Sequence, residues 1–188
     1  PTTVNRWTYS AAKGVPEHMA LGAAKSHDTG FPITIIRYFN IYGPGQSPIF
    51  VVPAMIQKAV SGEPIPVFDS GKQTRCFTFI DDAVNGTIAA LMDQEHSGEV
   101  FNIGNPVETT IKALAELILK ETSEFQSPGI EFIDAAAKYG SYEDIMRRVP
   151  DVSKARVLLD WKPQIDLATG IRLTIKTATS DASSETSS

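Results

Sequence analysis

Hydrophobic residues recur along the chain in blocks whose spacing alternates between that of helices and that of strands. From Tyr9 to about Ser26 the apolar positions fall at helical intervals, and Pro16 within this stretch predicts a kinked helix. The run 32–40 is rich in β-branched and aromatic residues, which predicts a buried strand ending at the Gly43-Pro44-Gly45 turn. The N-terminal third therefore predicts a helix, a strand and a loop, in that order.

The rest of the chain continues this alternation. We predict helices over 49–60, 81–92, 109–120, 153–159 and 166–176, and strands over 65–68, 75–80, 99–103 and 130–133. Asp81 and Asp82 are typical of the first turn of a helix, and a threonine at 109 or 110 is typical of an N-cap. Alternating helices and strands predict an α/β fold for residues 1–179. The Ser-rich tail, 180–188, is expected to be disordered.

Composition narrows the class of protein. In 188 residues, 42% hydrophobic and 21% charged residues are ordinary values for one soluble folded domain, and no apolar run or N-terminal pattern predicts a membrane span or signal peptide. The single Cys76 favours a reducing compartment, so a cytoplasmic location is expected. A net charge of -5 argues against non-specific nucleic-acid binding. Three histidines without neighbouring ligands predict that no metal is bound.

One expected feature of a dinucleotide-binding unit is missing. Such a unit needs a strand, a glycine-rich turn and a helix N-terminus around the pyrophosphate, and the sequence contains no such fingerprint. Gly43-Pro44-Gly45 lacks the spaced third glycine. Because residues 1–10 also contain no cap or turn that would start a domain, we expect the chain to be the C-terminal part of a larger unit, either truncated or completed by another chain.

Tyr9 and Lys13 are the first candidates for catalytic residues. Four positions apart on a helix, they share a face and can reach one bound molecule. An ammonium near a phenol lowers the pKa of the phenol, so Tyr9 could take a proton from a hydroxyl group. The same spacing is common on ordinary amphipathic helices, so the surrounding motifs must decide between a catalytic and a structural pair.

Those motifs occur together and in order. They are Arg6-Trp7-Thr8-Tyr9-Ser10-x-x-Lys13, Arg37-Tyr38-Phe39-Asn40-Ile41-Tyr42-Gly43-Pro44, Gly71-Lys72-Gln73-Thr74-Arg75-Cys76-Phe77-Thr78 and Phe101-Asn102-Ile103-Gly104-Asn105. From Arg6 to about Ile175 the chain resembles the extended short-chain dehydrogenase/reductase family of NAD-dependent nucleotide-sugar epimerases, dehydratases and decarboxylases. Within that family the chain is most similar to the UDP-glucuronate decarboxylase branch of the bifunctional polymyxin-resistance type, through Arg6-Trp7, the 71–78 motif and Gly104-Asn105-Pro106. Tyr142 and Arg148 extend the match, and the Leu159-Asp160-Trp161-Lys162-Pro163 run is also similar.

The resemblance implies a fold and a cofactor. The fold would be the C-terminal part of a doubly wound, Rossmann-like parallel sheet with a small substrate-binding lobe, and a helix-mediated homodimer is expected. NAD would be the cofactor and a UDP-sugar the substrate. Tyr9 would remove the O4 proton of the sugar while Lys13 holds the nicotinamide ribose, so both residues would also bind the cofactor.

The resemblance also implies a set of substrate contacts. Arg6, Asn40 and Tyr142 would contact the substrate, and 66–75, with Lys72, Gln73 and Arg75, would line the nucleotide and diphosphate. Arg148 would supply or steer a proton to C5 of the sugar.

Three functions stay open at this point. A decarboxylase acting on UDP-glucuronate is the first hypothesis, and a 4-epimerase or dehydratase, which shares the oxidation at C4, is the second. The third is a non-catalytic module that binds nucleotide-sugars, motivated by the missing glycine fingerprint. The family also places a Ser/Thr-rich loop upstream of the tyrosine, and Thr2 and Thr3 lie too near Tyr9 to form that loop.

Overall fold

Helices and strands alternate along the whole chain. The computed structural model describes residues 6–25, 32–93, 95–139 and 145–185. For residues 6–10, 25, 138, 139 and 181–185 it describes the backbone alone. The helices are α1 (Arg6–Lys25), α2 (Val51–Val60), α3 (Ile80–Met92), α4 (Ile111–Glu121), α5 (Ala135–Tyr139), α6 (Ser153–Leu158) and α7 (Leu167–Glu185). The strands are β1 (Ile35–Tyr38), β2 (Ile41–Tyr42), β3 (Ile65–Phe68), β4 (Thr74–Cys76), β5 (Thr78–Phe79), β6 (Val100–Ile103), β7 (Glu108–Thr110) and β8 (Ile130–Ile133). The predicted α/β class is confirmed.

The strands pair mainly in parallel. β1 pairs with β6, β2 with β5 and β3 with β8 in parallel, whereas β4 and β7 are antiparallel. In the first pair Tyr38 lies opposite Ile103, so β1 and β6 end at the same edge. Parallel strands need a crossover connection, and the chain between β1 and β6 contains α2 and α3. The loops that follow β1 and β6 therefore meet at one carboxyl edge.

Strand β1 differs from its prediction. We predicted one buried strand over 32–40, but the strand covers only Ile35–Tyr38, and Arg37 and Tyr38 are exposed. Asn40 has a positive φ of 39°, a conformation that asparagine tolerates better than most residues, and it separates β1 from β2. The predicted strand 75–80 is likewise divided, because β4 pairs with β7 and β5 pairs with β2. The two apolar runs predicted strands in the correct regions. They did not indicate that each run contains two short strands that pair with different partners.

Two apolar clusters form the interior. The larger one packs α2, α4 and α7 over β3 and β5, and its largest fully buried members include Ile56, Ile65, Leu114, Ile118 and Ile171. The smaller one packs α3 and α6 against β6 around Phe101, Ile103 and Trp161. The helices thus cover the strands, as the hydrophobic periodicity predicts.

Asp82 connects the smaller cluster to the loop before α7. Its side chain is 2% exposed, and its carboxylate accepts hydrogen bonds from the backbone N–H of Gln164 and of Ile165, both at 2.9 Å. The backbone carbonyl of Asp82 accepts a hydrogen bond from the Trp161 indole N–H at 3.0 Å. The predicted place of Asp81 and Asp82 in the first turn of a helix is confirmed, but Asp81 is exposed, so only Asp82 fixes the 161–165 loop.

Helix ends agree with the prediction at some positions and differ at others. Thr110 is the N-cap of α4, and its hydroxyl oxygen accepts a hydrogen bond from the N–H of Ala113 at 3.0 Å, as predicted. α7 continues past Lys176 to Glu185, so it overlaps the 180–188 segment that we expected to be disordered. Short β7 and α5 were not predicted, because three to five residues carry too little periodicity to mark an element.

The described ranges were compared with the requirements of a membrane-spanning helix and of a metal site. None of the helices in these ranges combines the length and the hydropathy that a bilayer crossing requires. Among the same residues, no group of three or more His, Cys, Asp and Glu side chains comes together in a way that could hold a metal ion.

Candidate functional site

Thr78 joins the loops at the carboxyl edge of the sheet. Its buried hydroxyl donates a hydrogen bond to the carbonyl of Phe39 at 2.9 Å and accepts one from the N–H of Asn105 at 2.9 Å. The side-chain amide of Asn40 donates to the carbonyl of Cys76 at 2.8 Å. In α/β sheets ligands bind in the crevice at the carboxyl ends of parallel strands, and these bonds give the crevice a fixed floor.

Arg75 holds a distant segment against β4. One guanidinium nitrogen of Arg75 donates to the carbonyls of Thr74 and Ile145, at 2.8 and 2.6 Å, and the N–H of Thr74 donates to the carbonyl of Met146 at 2.8 Å. Residues 145–148, here called the arginine segment, thus run beside β4. The predicted contact of Arg75 with a diphosphate stays a prediction, and in the structure this side chain orders the arginine segment.

Arg148 reaches the same edge as Asn40. Its guanidinium carbon lies 5.3 Å from the centroid of the Phe39 ring, within the range of a cation–π contact. Gly104 also packs closely on Phe39, because a Cβ at Gly104 would lie 2.9 Å from the Phe39 Cβ and 3.0 Å from Pro150. The fold therefore brings Arg148 to Phe39, the residue before Asn40, although the two are far apart in sequence.

Lys72 and Gln73 lie on the connection between β3 and β4. Gly71 has a positive φ of 63°, and its carbonyl accepts a hydrogen bond from the N–H of Lys112 at 3.0 Å. The carbonyl of Gln73 accepts one from the N–H of Ile111 at 3.1 Å. The 66–75 segment is thus held against the first turn of α4, with Lys72 exposed and Gln73 half-buried.

Helix α1 is tied to β1 by an ion pair. The guanidinium of Arg37 donates to both carboxylate oxygens of Glu17, with its Nε at 2.8 Å from Oε1. Glu17 lies one turn after Lys13, so the two residues share a face of α1. Lys13 is exposed. The side chains of Arg6 and Tyr9, and the whole of Tyr142, lie outside the described residues.

Glu17, Arg37 and Thr78 were not predicted to act at the site. The sequence could have indicated Glu17, because it lies four residues after Lys13 and so continues the helix face of the Tyr9–Lys13 pair. No local pattern marks Arg37 as its partner, since the two residues belong to different elements. Thr78 appears in a quoted motif, but its hydrogen bonds join three separate parts of the chain.

We expect Arg37→Gln to loosen α1. The hydrogen bond from Arg37 lowers the pKa of Glu17 below its ordinary value of 4.5. The pair therefore contributes stability above about pH 4.5, and this contribution is lost as the pH falls through the lower pKa of the folded state. Hydrogen exchange of the α1 amides at pH 7 should be faster in Arg37→Gln, and lowering the pH of the wild type should lessen the difference. The matched control is Lys154→Gln, which removes the exposed Glu99–Lys154 pair elsewhere. Equal exchange of α1 in Arg37→Gln and wild type would contradict the expectation.

A cleft lies beside Asn105, whose N–H donates to Thr78. It has a volume of about 460 Å³ and is formed by the loops at 105–109 and 161–167 with Arg156. Its lining among the described residues includes none of the predicted site residues. The candidate site is therefore the carboxyl edge, where Asn40, Arg75 and Arg148 gather, and not this cleft.

The residues present fit one part of an NAD site. An exposed ammonium such as that of Lys13 is a suitable hydrogen-bond donor for ribose hydroxyls. A pyrophosphate cradle requires backbone N–H groups at a glycine-rich turn between a strand and a helix, and the described strands are followed by no such turn. The predicted contact of Lys13 with the nicotinamide ribose stays a prediction.

Comparison with known proteins identifies the family. The model of the NAD dependent epimerase/dehydratase family matches residues 1–104. UDP-N-acetyl-alpha-D-glucosaminuronate decarboxylase from Bacillus cytotoxicus is 38% identical over 179 residues, which are 93% of this chain and 54% of the relative. UDP-glucuronic acid decarboxylase 1 from Arabidopsis thaliana is 36% identical over 168 residues, which are 88% of this chain and 36% of the relative. The chain thus spans about half the length of the first relative and about a third of the second.

A solved structure agrees with this family match. The UDP-glucuronic acid 4-epimerase of Bacillus cereus, in complex with UDP-glucuronic acid and NAD, superposes with a TM-score of 0.71 at 30% identity over 81% of this chain and 47% of that chain. This likeness confirms the predicted Rossmann-like fold. The sequence motifs, the α/β architecture and the family match agree, and the chain belongs to the NAD-dependent epimerase/dehydratase family.

Proposed function

We propose that this chain supplies the substrate-binding part of an NAD-dependent enzyme that oxidises the C4 hydroxyl of a nucleotide-sugar to a 4-keto intermediate and, like UDP-glucuronate decarboxylases, then decarboxylates UDP-glucuronate. The observation that carries the proposal is the position of Arg148, a cation above the ring of Phe39, which directly follows β1 and precedes Asn40. The decarboxylases of B. cytotoxicus and A. thaliana, both more than a third identical to this chain, support the choice of reaction.

Oxidation at C4 is the proposed first step. NAD, when bound, would supply the acceptor for the hydride that leaves C4. Tyr9 takes the proton of the C4 hydroxyl as general base, and Lys13, one helical turn later, stabilises the phenolate and holds the ribose. The Glu17–Arg37 pair supports this arrangement, because it ties the same face of α1 to β1.

The substrate contacts are proposed around the same edge. Lys72, Gln73 and Arg75 line the nucleotide and diphosphate, and the charges of Lys72 and Arg75 suit phosphate oxygens. Arg6, Asn40 and Tyr142 contact the sugar. One side-chain N–H of Asn40 donates to the carbonyl of Cys76 in the structure, and this bond orients the amide whose oxygen is proposed to contact the sugar.

Decarboxylation follows from the 4-keto sugar. The C4 ketone is β to the carboxylate on C5, so the C5–carboxylate bond breaks, carbon dioxide leaves and the electron pair forms an enolate. The positive charge of Arg148 stabilises the enolate oxygen and steers a proton to C5. Tyr9 then gives its proton back to O4, and reduced NAD would supply the hydride to C4 that completes a UDP-pentose.

A 4-epimerase is the second candidate, favoured by the likeness to the B. cereus structure that contains UDP-glucuronic acid and NAD. Such an enzyme would share the step at Tyr9 but return hydride to the other face of the ketone. It would need no proton donor at C5. The role of Arg148 therefore separates the two reactions.

The test uses a chimeric enzyme, in which this chain replaces the matching part of the B. cytotoxicus decarboxylase. With UDP-glucuronate we expect NADH fluorescence followed by carbon dioxide and a UDP-pentose. We expect Arg148→Gln to keep the NADH signal and to slow carbon dioxide release by about 100-fold, the size of a lost electrostatic contact to a developing charge. Formation of a UDP-hexuronate epimer without carbon dioxide would reject the decarboxylase and support the epimerase.

Binding by the 188-residue chain alone provides a second measurement. Calorimetry is expected to give heat with UDP and none with NAD, because the chain holds the proposed diphosphate contacts, whereas its described residues include no glycine-rich turn that would cradle the pyrophosphate of NAD. A non-catalytic module would show the same binding, and inactivity of the chimeric enzyme would then favour that function. Absence of UDP binding would contradict the proposed substrate contacts.

Two properties complete the proposal. We infer a homodimer, supported by exposed apolar side chains on α1 and α3, namely Val15, Met19, Ile88 and Leu91.

We also infer a cytoplasmic location, supported by the buried free thiol of Cys76, which a reducing compartment keeps unmodified.

A further inference from the structure

The arginine segment, 145–148, has a second anchor besides Arg75. The guanidinium of Arg147 donates from Nε to both carboxylate oxygens of Glu108, at 3.2 and 3.1 Å, and from Nη2 to Oε1 at 2.7 Å. The hydroxyl of Thr74 donates to Oε2 of the same carboxylate at 3.0 Å. Glu108 therefore joins β4, β7 and the arginine segment through one side chain.

The geometry makes this contact more specific than a usual surface ion pair. The side chains of Arg147 and Glu108 are 69% and 33% exposed, and exposed pairs contribute little to the free energy of unfolding. A two-pronged guanidinium–carboxylate contact nevertheless fixes direction as well as distance. The pKa of Glu108 is lowered, first by the hydrogen bond from Arg147 and then by that from Thr74, so the carboxylate is charged at neutral pH.

The direction of Arg147 determines that of Arg148. Thr74 and Arg147 form a bridge between parallel stretches of chain, so the segment is extended there. In extended chain successive side chains point to opposite sides. With Arg147 turned to Glu108, Arg148 is turned away from it and lies over the Phe39 ring.

We propose that Glu108 is a positioning residue, which through Arg147 holds Arg148 at the carboxyl edge where C5 of the sugar is protonated. This inference rests on the proposed function of Arg148. In this proposal Glu108 acts through Arg147 and not on the substrate, so its effect falls on the step that needs Arg148. Oxidation at C4, which depends on α1, does not need Glu108.

The experiment measures the two steps separately in the chimeric enzyme. Glu108→Gln keeps the shape of the side chain and removes its charge. We expect NADH formation within about twofold of wild type and carbon dioxide release slowed by about 10- to 100-fold, the usual cost of misplacing a reacting group by an ångström or less. A purely structural role would lower both rates together. The matched control is Glu63→Gln, which removes the exposed Lys58–Glu63 pair beyond α2.

A charge exchange tests the pair itself. Glu108→Arg and Arg147→Glu should each slow carbon dioxide release, and the double variant should recover about fivefold or more over either single variant, because directly contacting residues couple by such amounts. In the 188-residue chain, Glu108→Gln should also speed hydrogen exchange at the amide of Thr74, which donates to Met146. Unchanged exchange with unchanged carbon dioxide release would overturn the proposal.

The failure of this inference differs from the failure of the proposed function. If Arg148→Gln leaves carbon dioxide release unchanged, the proposed role of Arg148 is wrong, and the role of Glu108 is wrong with it. If Arg148→Gln slows the release and Glu108→Gln does not, only the inference about Glu108 is wrong.

Discussion

Replacement of Tyr9 by phenylalanine in the chimeric enzyme is expected to lower kcat for UDP-glucuronate by about 1,000-fold, within the range that a positioned general base contributes. The phenol has to accept the C4 proton as hydride leaves, and phenylalanine keeps the ring without the oxygen. We expect UDP binding to change by less than about twofold, because the proposed diphosphate contacts lie on the 66–75 segment. The measurement is the rate of NADH formation after mixing with substrate.

The control for this prediction is Tyr38→Phe. Tyr38 is 46% exposed at the end of β1, and its hydroxyl lies 2.7 Å from the hydroxyl of Thr87 on α3. Loss of this hydroxyl removes one exposed hydrogen bond, so kcat should stay within about twofold of wild type. If Tyr9→Phe and Tyr38→Phe reduce NADH formation equally, Tyr9 is not the base, and the Tyr9–Lys13 spacing is that of an ordinary amphipathic helix.

Replacement of Asp82 by alanine is expected to lower the free energy of unfolding of the 188-residue chain by about 3 kcal/mol, since it leaves the partly buried N–H groups of Gln164 and Ile165 without their acceptor. The 161–165 loop would lose its attachment to α3, although the bond from Trp161 to the backbone carbonyl of Asp82 would remain. Urea unfolding followed by circular dichroism measures the change.

Asp81 provides the matched control for Asp82. It occupies the neighbouring position in the first turn of α3 but is exposed. Asp81→Ala should cost about 0.5 kcal/mol, the size of a lost helix-terminus charge. Equal losses of stability in the two variants would show that both carboxylates act only as first-turn charges, as the sequence by itself suggests.

The sequence by itself determined the order of elements and the chemistry of the candidate site. Helical and strand-like spacing marked α2, α3, α4 and β3 to within a few residues, because the apolar face of each element has to pack against its neighbours. The motif set was sufficient to indicate the family, because it combines unusual residues in a fixed order. It identified Asn40, Arg75 and Arg148 before any distance was known.

Only the tertiary structure decided which strands pair and which side chains meet. β3 and β4 follow one another in sequence, yet β3 pairs with β8 and β4 with β7. The contacts of Glu108 with Arg147 and of Asp82 with 164–165 likewise join residues with no shared periodicity. Local spacing reports which face of one element is apolar, whereas a pairing between distant residues depends on the packing of the whole chain, so no short pattern encodes it.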